Sequence, residues 1–194
     1  MGENDPKFKI ESWLKEAKEK VEGNWNAMCV STVDSDNYPD SRMLLFKEFS
    51  KSKNIIFFTN YFSKKGKDLE QNDAVSVVFY WDTLERQLRI RGRAKSTSRE
   101  ISSSYFDSRP IGAKISAIIS DQSQEISSYE ELRAEFDKLS GELKEEDISC
   151  PEHWGGFEIE PFRIEFWQGD RSRLHQREVY DLDGDNWKTT LLSP

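Results

Sequence analysis

The sequence predicts a mainly β protein of the α+β class, an antiparallel barrel with helices packed against its outside. Three observations predict this fold: six to eight short strand-like runs, two or three segments with helical spacing, and no regular alternation of strand and helix. At 194 residues, the chain is expected to form one domain, residues 1–194. A chain of this size buries roughly 70% of its unfolded surface, so its core needs neither a disulfide nor a metal.

The helices are predicted from spacing and capping signals. The first belongs to an N-terminal helical arm, residues 1–24, in which Asp5-Pro6 is a favourable helix start. Apolar residues then recur at helical spacing: Phe8, Trp13, Leu14, Ala17 and Val21. The later helical segments are "SKKGKDLEQN" capped by Ser63, "SREISSSYFDSR", and "SSYEELRAEFDKL" capped by Ser127 or Ser128.

The predicted strands are short β-like runs separated by segments with turn chemistry. In chain order they are "AMCVSTV", "SRMLLFKEF", "NIIFFTN", "AVSVVFYW", "RQLRIRGRAKS", "GGFEIEPFRIEFWQG" and "EVYDLDGDNWKTTLL". The last run is predicted to contain a hairpin with Asp183-Gly184 as its turn. In "RLHQR", a period of two predicts a strand with Arg173, His175 and Arg177 on one face.

Composition excludes several functional classes. The net charge of −8 argues against a nucleic-acid partner. No apolar run approaches the ~20 residues of a membrane span, so no membrane partner is expected. The N-terminus is too charged for a signal peptide, and Pro6 stands where a myristoylation motif at Gly2 requires Ser or Thr. With only two cysteines, Cys29 and Cys150, a reducing compartment is favoured, and we expect a cytoplasmic protein.

The candidate chemistry lies in clustered cations. Neither histidine has a metal-ligand partner at the required spacing, so no metal site is predicted, and the common nucleotide and hydrolase motifs are absent. Arginine matches phosphate best in geometry, and the helix start at Ser63 adds backbone N–H donors. The cations therefore favour an anion-binding site, although each run alone also fits a solvated basic surface. The cations concerned are Arg42, Lys47, Lys64, Lys65, Lys67, Arg109, Arg171, Arg173 and Arg177.

A set of sequence blocks together resembles the pyridoxamine 5′-phosphate oxidase family. The blocks, from about Ala27 to Pro194, are "RMLLFK", "FFTNYFSKKGKDLEQN", "FYWDTLERQLRIRG", "YFDSRP", "SDQSQEI", "WGGFEIEP", "IEFWQG" and "RLHQR", in the family's order and spacing. The resemblance implies an FMN-binding split β-barrel that works as a homodimer with FMN at the subunit interface. Residues 150–194 would supply the dimerisation and active-site strands.

The resemblance also implies the cofactor contacts. Arg42 and Lys65 match residues that hold the FMN phosphate, and Thr59 matches an assisting hydroxyl. Trp167 and Arg177 match residues beside the flavin ring, where a cation stabilises the negative charge of the reduced ring. The remaining implied cofactor contacts are Lys47, Phe58, Lys64, Gln87, Gln122 and Ser123.

The implied activity is oxidation of pyridoxamine or pyridoxine 5′-phosphate to pyridoxal 5′-phosphate, with O2 as acceptor and hydrogen peroxide as product. Lys47, Tyr105 and Arg109 match the substrate-phosphate site. Arg173 and His175 match residues that close over the substrate ring, and they are the candidate catalytic residues.

The chain departs from the family pattern at four positions, which leaves two alternatives open. Ala113 replaces a serine of the substrate-phosphate site, Lys64 replaces an arginine, Phe58 replaces a tyrosine, and Leu191 replaces an arginine. The first alternative is a related flavin oxidase of the phenazine-biosynthesis type. The second is a non-catalytic split-barrel protein that binds FMN or pyridoxal phosphate.

Overall fold

A computed structural model describes residues 5–194. The first four residues of the predicted arm, including Gly2, lie outside the described residues. The helices are α1 (Pro6–Lys20), α2 (Lys64–Gln71), α3 (Arg99–Asp107), α4 (Ile111–Ile119) and α5 (Tyr129–Glu142). The strands are β1 (Ala27–Val33), β2 (Pro39–Leu45), β3 (Glu48–Phe49), β4 (Ile55–Asn60), β5 (Ala74–Trp81), β6 (Arg86–Ser96), β7 (Trp154–Gln168), β8 (Gln176–Asp183) and β9 (Asn186–Leu192).

These strands form one antiparallel sheet in the order β2-β1-β5-β6-β7-β4-β3, with β8 paired to β7 and β9 paired to β8. Strand β7 is the longest, with 15 residues, and β6 runs along one of its edges. On the other edge, β4 pairs with the first part of β7 and β8 pairs with its last part. Residues carried by β4 and by β8 are therefore separated along the length of β7.

The sheet bends where β6 and β7 change register. The pairing shifts between Arg91 and Gly92, which face Arg163 and Pro161 respectively. A Cβ atom at Gly92 would lie 2.5 Å from the carbonyl oxygen of Glu160, so the strands approach this closely only because residue 92 is glycine. A bulge of this kind bends a strand and increases its twist, which helps the sheet to curl around its core.

The core lies inside the curled sheet and beneath α1. Burial alternates along β1, β5 and β6, as expected for strands with one face turned to the core. Helix α1 buries Ile10, Leu14 and Ala17, and its Trp13 packs edge-on against Phe166 with ring centroids 4.9 Å apart. A second, smaller core between α3, α4 and β7 contains Phe106, Ile115, Ala117, Ile148 and Trp154.

Most of the predicted elements are confirmed, including the helix caps at Asp5, Ser63 and Ser128. The predicted numbers of strands and helices were too low, since residues 5–194 contain nine strands and five α-helices. None of these helices is long and apolar enough to cross a bilayer. Helix α4 was not predicted, because its isoleucines and glycine have low helix propensity and its stability comes from packing.

One predicted strand and one predicted turn also needed correction. The run "SRMLLFKEF" is interrupted, because Phe46 turns into the core and only 6% of it is exposed. The C-terminal hairpin turns at Gly184-Asp185 rather than at Asp183-Gly184, because Asp183 still pairs with Asn186. Gly184 has φ of +59°, which glycine adopts at little cost.

Substitution of Gly66 tests how closely the start of α2 packs against Tyr61. A Cβ atom there would lie 2.1 Å from the carbonyl oxygen of Tyr61, so we expect Gly66→Ala to lower the free energy of unfolding. The loss should be about 1–3 kcal/mol, the usual cost of overpacking. The control is Gly141→Ala in α5, where nothing lies within 4 Å and a gain of about 0.4–1 kcal/mol is expected. Urea unfolding of both variants checks this, and equal stabilities would contradict the close approach.

Candidate functional site

One group of polar side chains surrounds the amino group of Lys65, and we call Arg42, Thr59, Lys65 and Gln122 the cationic cluster. Lys65 Nζ donates hydrogen bonds to Thr59 Oγ1 at 3.2 Å, Ser63 Oγ at 3.1 Å and Gln122 Oε1 at 2.9 Å. Only 7% of Lys65 is exposed. Its three hydrogen-bond partners among the described residues are neutral, so none of them compensates the charge of the ammonium group.

The electrostatics of Lys65 follow from this burial. Burial, and then the nearby positive charge of Arg42, lower the pKa of Lys65 to about 8. The carboxylates of Asp40 and Asp68 oppose this lowering only in part. Burying the charge is therefore costly to the folded protein, and a bound anion would offset that cost. The local fold fixes the geometry: β4 ends at Asn60, Ser63 caps α2, and Lys65 lies in the first turn of that helix.

Arg42 is held in place by groups that the sequence did not single out. Its guanidinium donates to Thr32 Oγ1 at 2.8 Å and to the Asp40 carboxylate at 2.8 Å. Thr32 in turn donates to Asp68 Oδ2 at 2.7 Å, and both Thr32 and Asp68 are buried. The only sequence signal that could have drawn attention to Asp68 was its spacing of four and three residues from Lys64 and Lys65 on α2. The same spacing also fits an ordinary ion pair on a helix surface.

A cavity of about 530 Å³ opens beside the cationic cluster and shares Thr59 and Gln122 with it. Lys47, Tyr105 and Arg109, the three residues predicted for a phosphate, all line this cavity. The Arg109 guanidinium lies over the Trp154 ring, 4.7 Å from its centroid. Arg109 Nη1 is buried and has no hydrogen-bond partner among the described residues. Burial also lowers the pKa of Arg109, which nevertheless stays charged.

Three aromatic rings form one wall of the cavity. Phe58 stacks on Tyr105 with ring centroids 4.0 Å apart and on Trp154 with centroids 5.5 Å apart. The rings are parallel within 9°. Phe58, one of the departures from the family pattern, thus packs against two neighbouring aromatic side chains. Ala113 lies in the first turn of α4, directly after Arg109 and Pro110.

A second group of candidate residues lies on the outer face of the sheet, and we call Gln87, Trp167 and Arg177 the cross-strand row. Gln87 pairs with Trp167 and Trp167 pairs with Arg177, so the three side chains share one face of β6, β7 and β8. The His175 ring lies 4.7 Å from the Trp167 ring. His175 Nδ1 accepts from the Asp170 backbone N–H at 3.1 Å, so a neutral His175 carries its proton on Nε2, available for donation.

The predicted common strand face of Arg173, His175 and Arg177 is wrong. Strand β8 begins only at Gln176, and Arg173 lies in a bend with φ of +66°. The bend is closed by a hydrogen bond from the Arg173 backbone N–H to the Asp170 carbonyl oxygen at 3.0 Å. Arg173 is exposed, as is Arg171.

Lys64 and Ser123 lie outside the cationic cluster, although Lys64 shares the carboxylates of Asp40 and Asp68 with Arg42. The Lys64 ammonium group faces carboxylates of Asp34, Asp40 and Asp68 at 3.5, 3.9 and 3.4 Å. Lys64 and Ser123 line a separate shallow hollow. Lys64 therefore differs from Lys65 in having its charge compensated within the chain.

The cationic cluster and the cross-strand row lie at opposite ends of β7. Thr59 pairs with Gly155, whereas Arg177 pairs with Trp167, twelve residues further along the same strand. At ~3.3 Å per residue the two positions are about 40 Å apart along the strand. The sheet curls between them, so the direct distance is shorter, but the two groups lie at opposite ends of a 15-residue strand. This placement favours a ligand shared between two chains over one held by a single chain.

Comparison with known proteins gives matches along nearly the whole chain. The family described as "Pyridoxamine 5′-phosphate oxidase" matches residues 14–141, and "Pyridoxine 5′-phosphate oxidase C-terminal dimerisation region" matches residues 154–194. A pyridoxine/pyridoxamine 5′-phosphate oxidase of Leptospira interrogans is 41% identical, covering 98% of this chain and 89% of the relative. Its counterpart from Flavobacterium johnsoniae is 44% identical, covering 97% of this chain and 89% of the relative.

Solved structures confirm the predicted split-barrel fold, a curled antiparallel sheet with peripheral helices. The structure of PhzG from Burkholderia lata 383, in complex with tetrahydrophenazine-1-carboxylic acid, matches with a TM-score of 0.91 and 29% identity. That match covers 98% of this chain and 93% of PhzG. A pyridoxamine 5′-phosphate oxidase-related, FMN-binding protein from Nostoc punctiforme shares the fold, with a TM-score of 0.78 at 15% identity over 97% of each chain.

The lowered pKa of Lys65 predicts a pH dependence of stability. Between its folded pKa of about 8 and its ordinary value of 10.5, the unfolded chain holds a proton that the folded chain has released. The contribution of Lys65 to the free energy of unfolding therefore rises with pH in this window. The stability of the parent relative to Lys65→Met should increase across it.

Urea unfolding of the ligand-free proteins at several pH values measures this difference. Lys67→Met is the control, because Lys67 is exposed and should give a difference that hardly changes with pH. A difference between the parent and Lys65→Met that stays constant across the window would show that Lys65 is not desolvated.

Proposed function

The chain belongs to the pyridoxamine 5′-phosphate oxidase family, and on this basis we propose that it oxidises pyridoxamine or pyridoxine 5′-phosphate to pyridoxal 5′-phosphate. The acceptor is O2 and the product is hydrogen peroxide. One observation supports a phosphorylated substrate above all: the buried, unpartnered Nη1 of Arg109, in a cavity that Lys47 and Tyr105 also line. Phosphate oxygens suit such a guanidinium in both charge and geometry.

FMN is the cofactor predicted from the sequence, and family membership supports it. We assign its phosphate to the cationic cluster, because Lys65 is buried among neutral partners and Arg42 lies close enough to lower its pKa. Thr59 and Gln122 add polar groups at the same place. When bound, FMN would supply a two-electron acceptor that O2 can reoxidise. Lys64 is a weaker candidate for this phosphate, because three carboxylates already surround its charge.

The cross-strand row is assigned to the flavin ring. Trp167 offers an aromatic surface, and Gln87 and Arg177 place polar groups on either side of it. The positive charge of Arg177 would stabilise the negative charge of the reduced ring. Since the row and the cationic cluster are about 40 Å apart along β7, we assign them to one flavin from two different chains. A homodimer follows, in agreement with the match of residues 154–194 to a dimerisation region.

Arg173 and His175 are proposed to close over the substrate ring. His175 is held by Asp170 and packs against Trp167, so its Nε2–H is available to a ligand beside the flavin platform. Arg173 leaves the sheet in its left-handed bend and can approach the substrate from the loop side. We assign neither residue as a strong base, because the substrate amine or alcohol can lose its own proton as hydride departs.

A second candidate function is oxidation of a bulkier aromatic acid, which the similarity to PhzG favours. A carboxylate would also satisfy Arg109, so the cavity alone does not separate the two substrates. The third reading, a flavin-binding protein without turnover, draws on the departures at Ala113 and Leu191. We also propose that the chain works as one domain in the cytoplasm, where its unpaired Cys29 and Cys150 would stay reduced.

Peroxide release from the FMN-loaded protein tests the proposed function. We expect turnover with pyridoxine and pyridoxamine 5′-phosphates and far less with unphosphorylated pyridoxine. Arg109→Leu should lower kcat/KM for the phosphates about 10- to 100-fold, because a charge-assisted hydrogen bond contributes roughly 1.5–3 kcal/mol. The control, Arg171→Leu, removes an exposed arginine and should leave kcat/KM unchanged.

The other substrates separate the alternatives. Faster turnover of tetrahydrophenazine-1-carboxylic acid than of either phosphate would support the second candidate function. A protein that binds FMN and releases no peroxide with any of these compounds would support the non-catalytic reading.

A further inference from the structure

Strand β7 carries a buried carboxylate that the proposed reaction does not use. Glu165 lies between Ile164 and Phe166, whose side chains point into the core, and its own side chain points to the outer face. Only 5% of Glu165 is exposed, an unusual burial for a glutamate. It lies two residues before Trp167, on the same face of the strand, and therefore directly beside the cross-strand row.

The carboxylate of Glu165 is shared between two arginines. Oε1 accepts a hydrogen bond from Arg177 Nε at 2.8 Å, and Oε2 accepts one from Arg89 Nη1 at 3.1 Å. Arg177 Nη1 also donates to the Ser193 carbonyl oxygen at 3.2 Å. These contacts use Nε and Nη1 of the Arg177 guanidinium, and neither of them involves Nη2. Glu165 thus fixes both the position and the electrostatic surroundings of Arg177.

We propose that Glu165 is a positioning residue for the flavin chemistry: it orients Arg177 and limits the positive charge that the reduced flavin meets. This inference rests on the proposed function, in which Arg177 lies beside the flavin ring. In the group formed by Arg89, Glu165 and Arg177, two positive charges face one negative charge. Arg89 is half exposed, with 50% of its side chain accessible, so water screens its charge more than that of the other two.

The proposal makes the reduction potential of the bound flavin depend on these charges with opposite signs. Glu165→Gln keeps an oxygen that can accept from Arg177 Nε but removes the negative charge. The reduced, negatively charged flavin is then better stabilised, and its midpoint potential becomes more positive. Arg89→Gln removes a positive charge on the other side of the carboxylate, so the potential becomes more negative, by a smaller amount.

The experiment measures the midpoint potential of FMN bound to the parent, Glu165→Gln, Arg89→Gln and the double variant, by equilibration with reference dyes. For Glu165→Gln we expect the reduction equilibrium to shift at least tenfold, which for a two-electron couple is about +30 mV. The double variant should fall between the two single variants. Arg91→Gln is the matched control: Arg91 is an exposed arginine on the same face of β6, paired with Arg163, and should not shift the potential.

The outcomes are distinct. Potentials that are equal in the parent and Glu165→Gln, or shifts of the same sign in Glu165→Gln and Arg89→Gln, would overturn the proposal and leave Glu165 a structural ion pair. If Glu165→Gln does not fold, the sign of the Arg89→Gln shift decides, since a shift to more positive values or none overturns the proposal. A parent protein that binds no FMN overturns the proposed function itself, which separates that failure from a failure of this inference.

Discussion

The pairing of β7 is the constraint on which the rest of the account depends. Its first part is joined to β4, and its last part is joined to β8 on the same edge. The cationic cluster and the cross-strand row must therefore lie far apart within one chain, however the loops are arranged. A ligand that needs both groups has to be bound between two chains. If both groups bind one flavin, as proposed, dimerisation is a requirement of the binding site.

Two cations of the candidate site, Lys65 and Arg109, lack a carboxylate as a hydrogen-bond partner among the described residues. Many arginines and lysines here have carboxylate partners, for example Arg163 with Asp181 and Lys114 with Glu145. Within residues 5–194, Lys65 has only neutral hydrogen-bond partners, and Arg109 has a buried donor without any. Such groups lower the stability of the ligand-free protein, and an anionic ligand that binds to them increases the stability again. In the proposed function, two separate phosphate groups, one on the cofactor and one on the substrate, would account for both.

Sequence patterns predicted the regular elements well and the irregular ones poorly. Strands β5 and β6 were predicted at their observed ends, because β5 is a short apolar run and β6 alternates apolar with charged residues. Helix α4 escaped prediction because it depends on packing, and Arg173 was misplaced because a left-handed bend gives no periodic signal. The family resemblance named the cluster residues, but their spacing depends on strand pairing, which no local pattern contains. Glu165 was not singled out from the sequence, since its burial arises from two arginines on neighbouring strands.

Subunit complementation tests the shared site most directly. Lys65→Met damages the cationic cluster and Arg177→Leu damages the cross-strand row, so each variant alone should bind FMN poorly. When the two are unfolded together and refolded as a mixture, half of the dimers formed at random contain one chain of each kind. Each mixed dimer has one intact site, so the mixture should recover roughly a quarter of the FMN sites of the parent. A mixture that binds no more FMN than the separate variants would show that each chain builds its site alone.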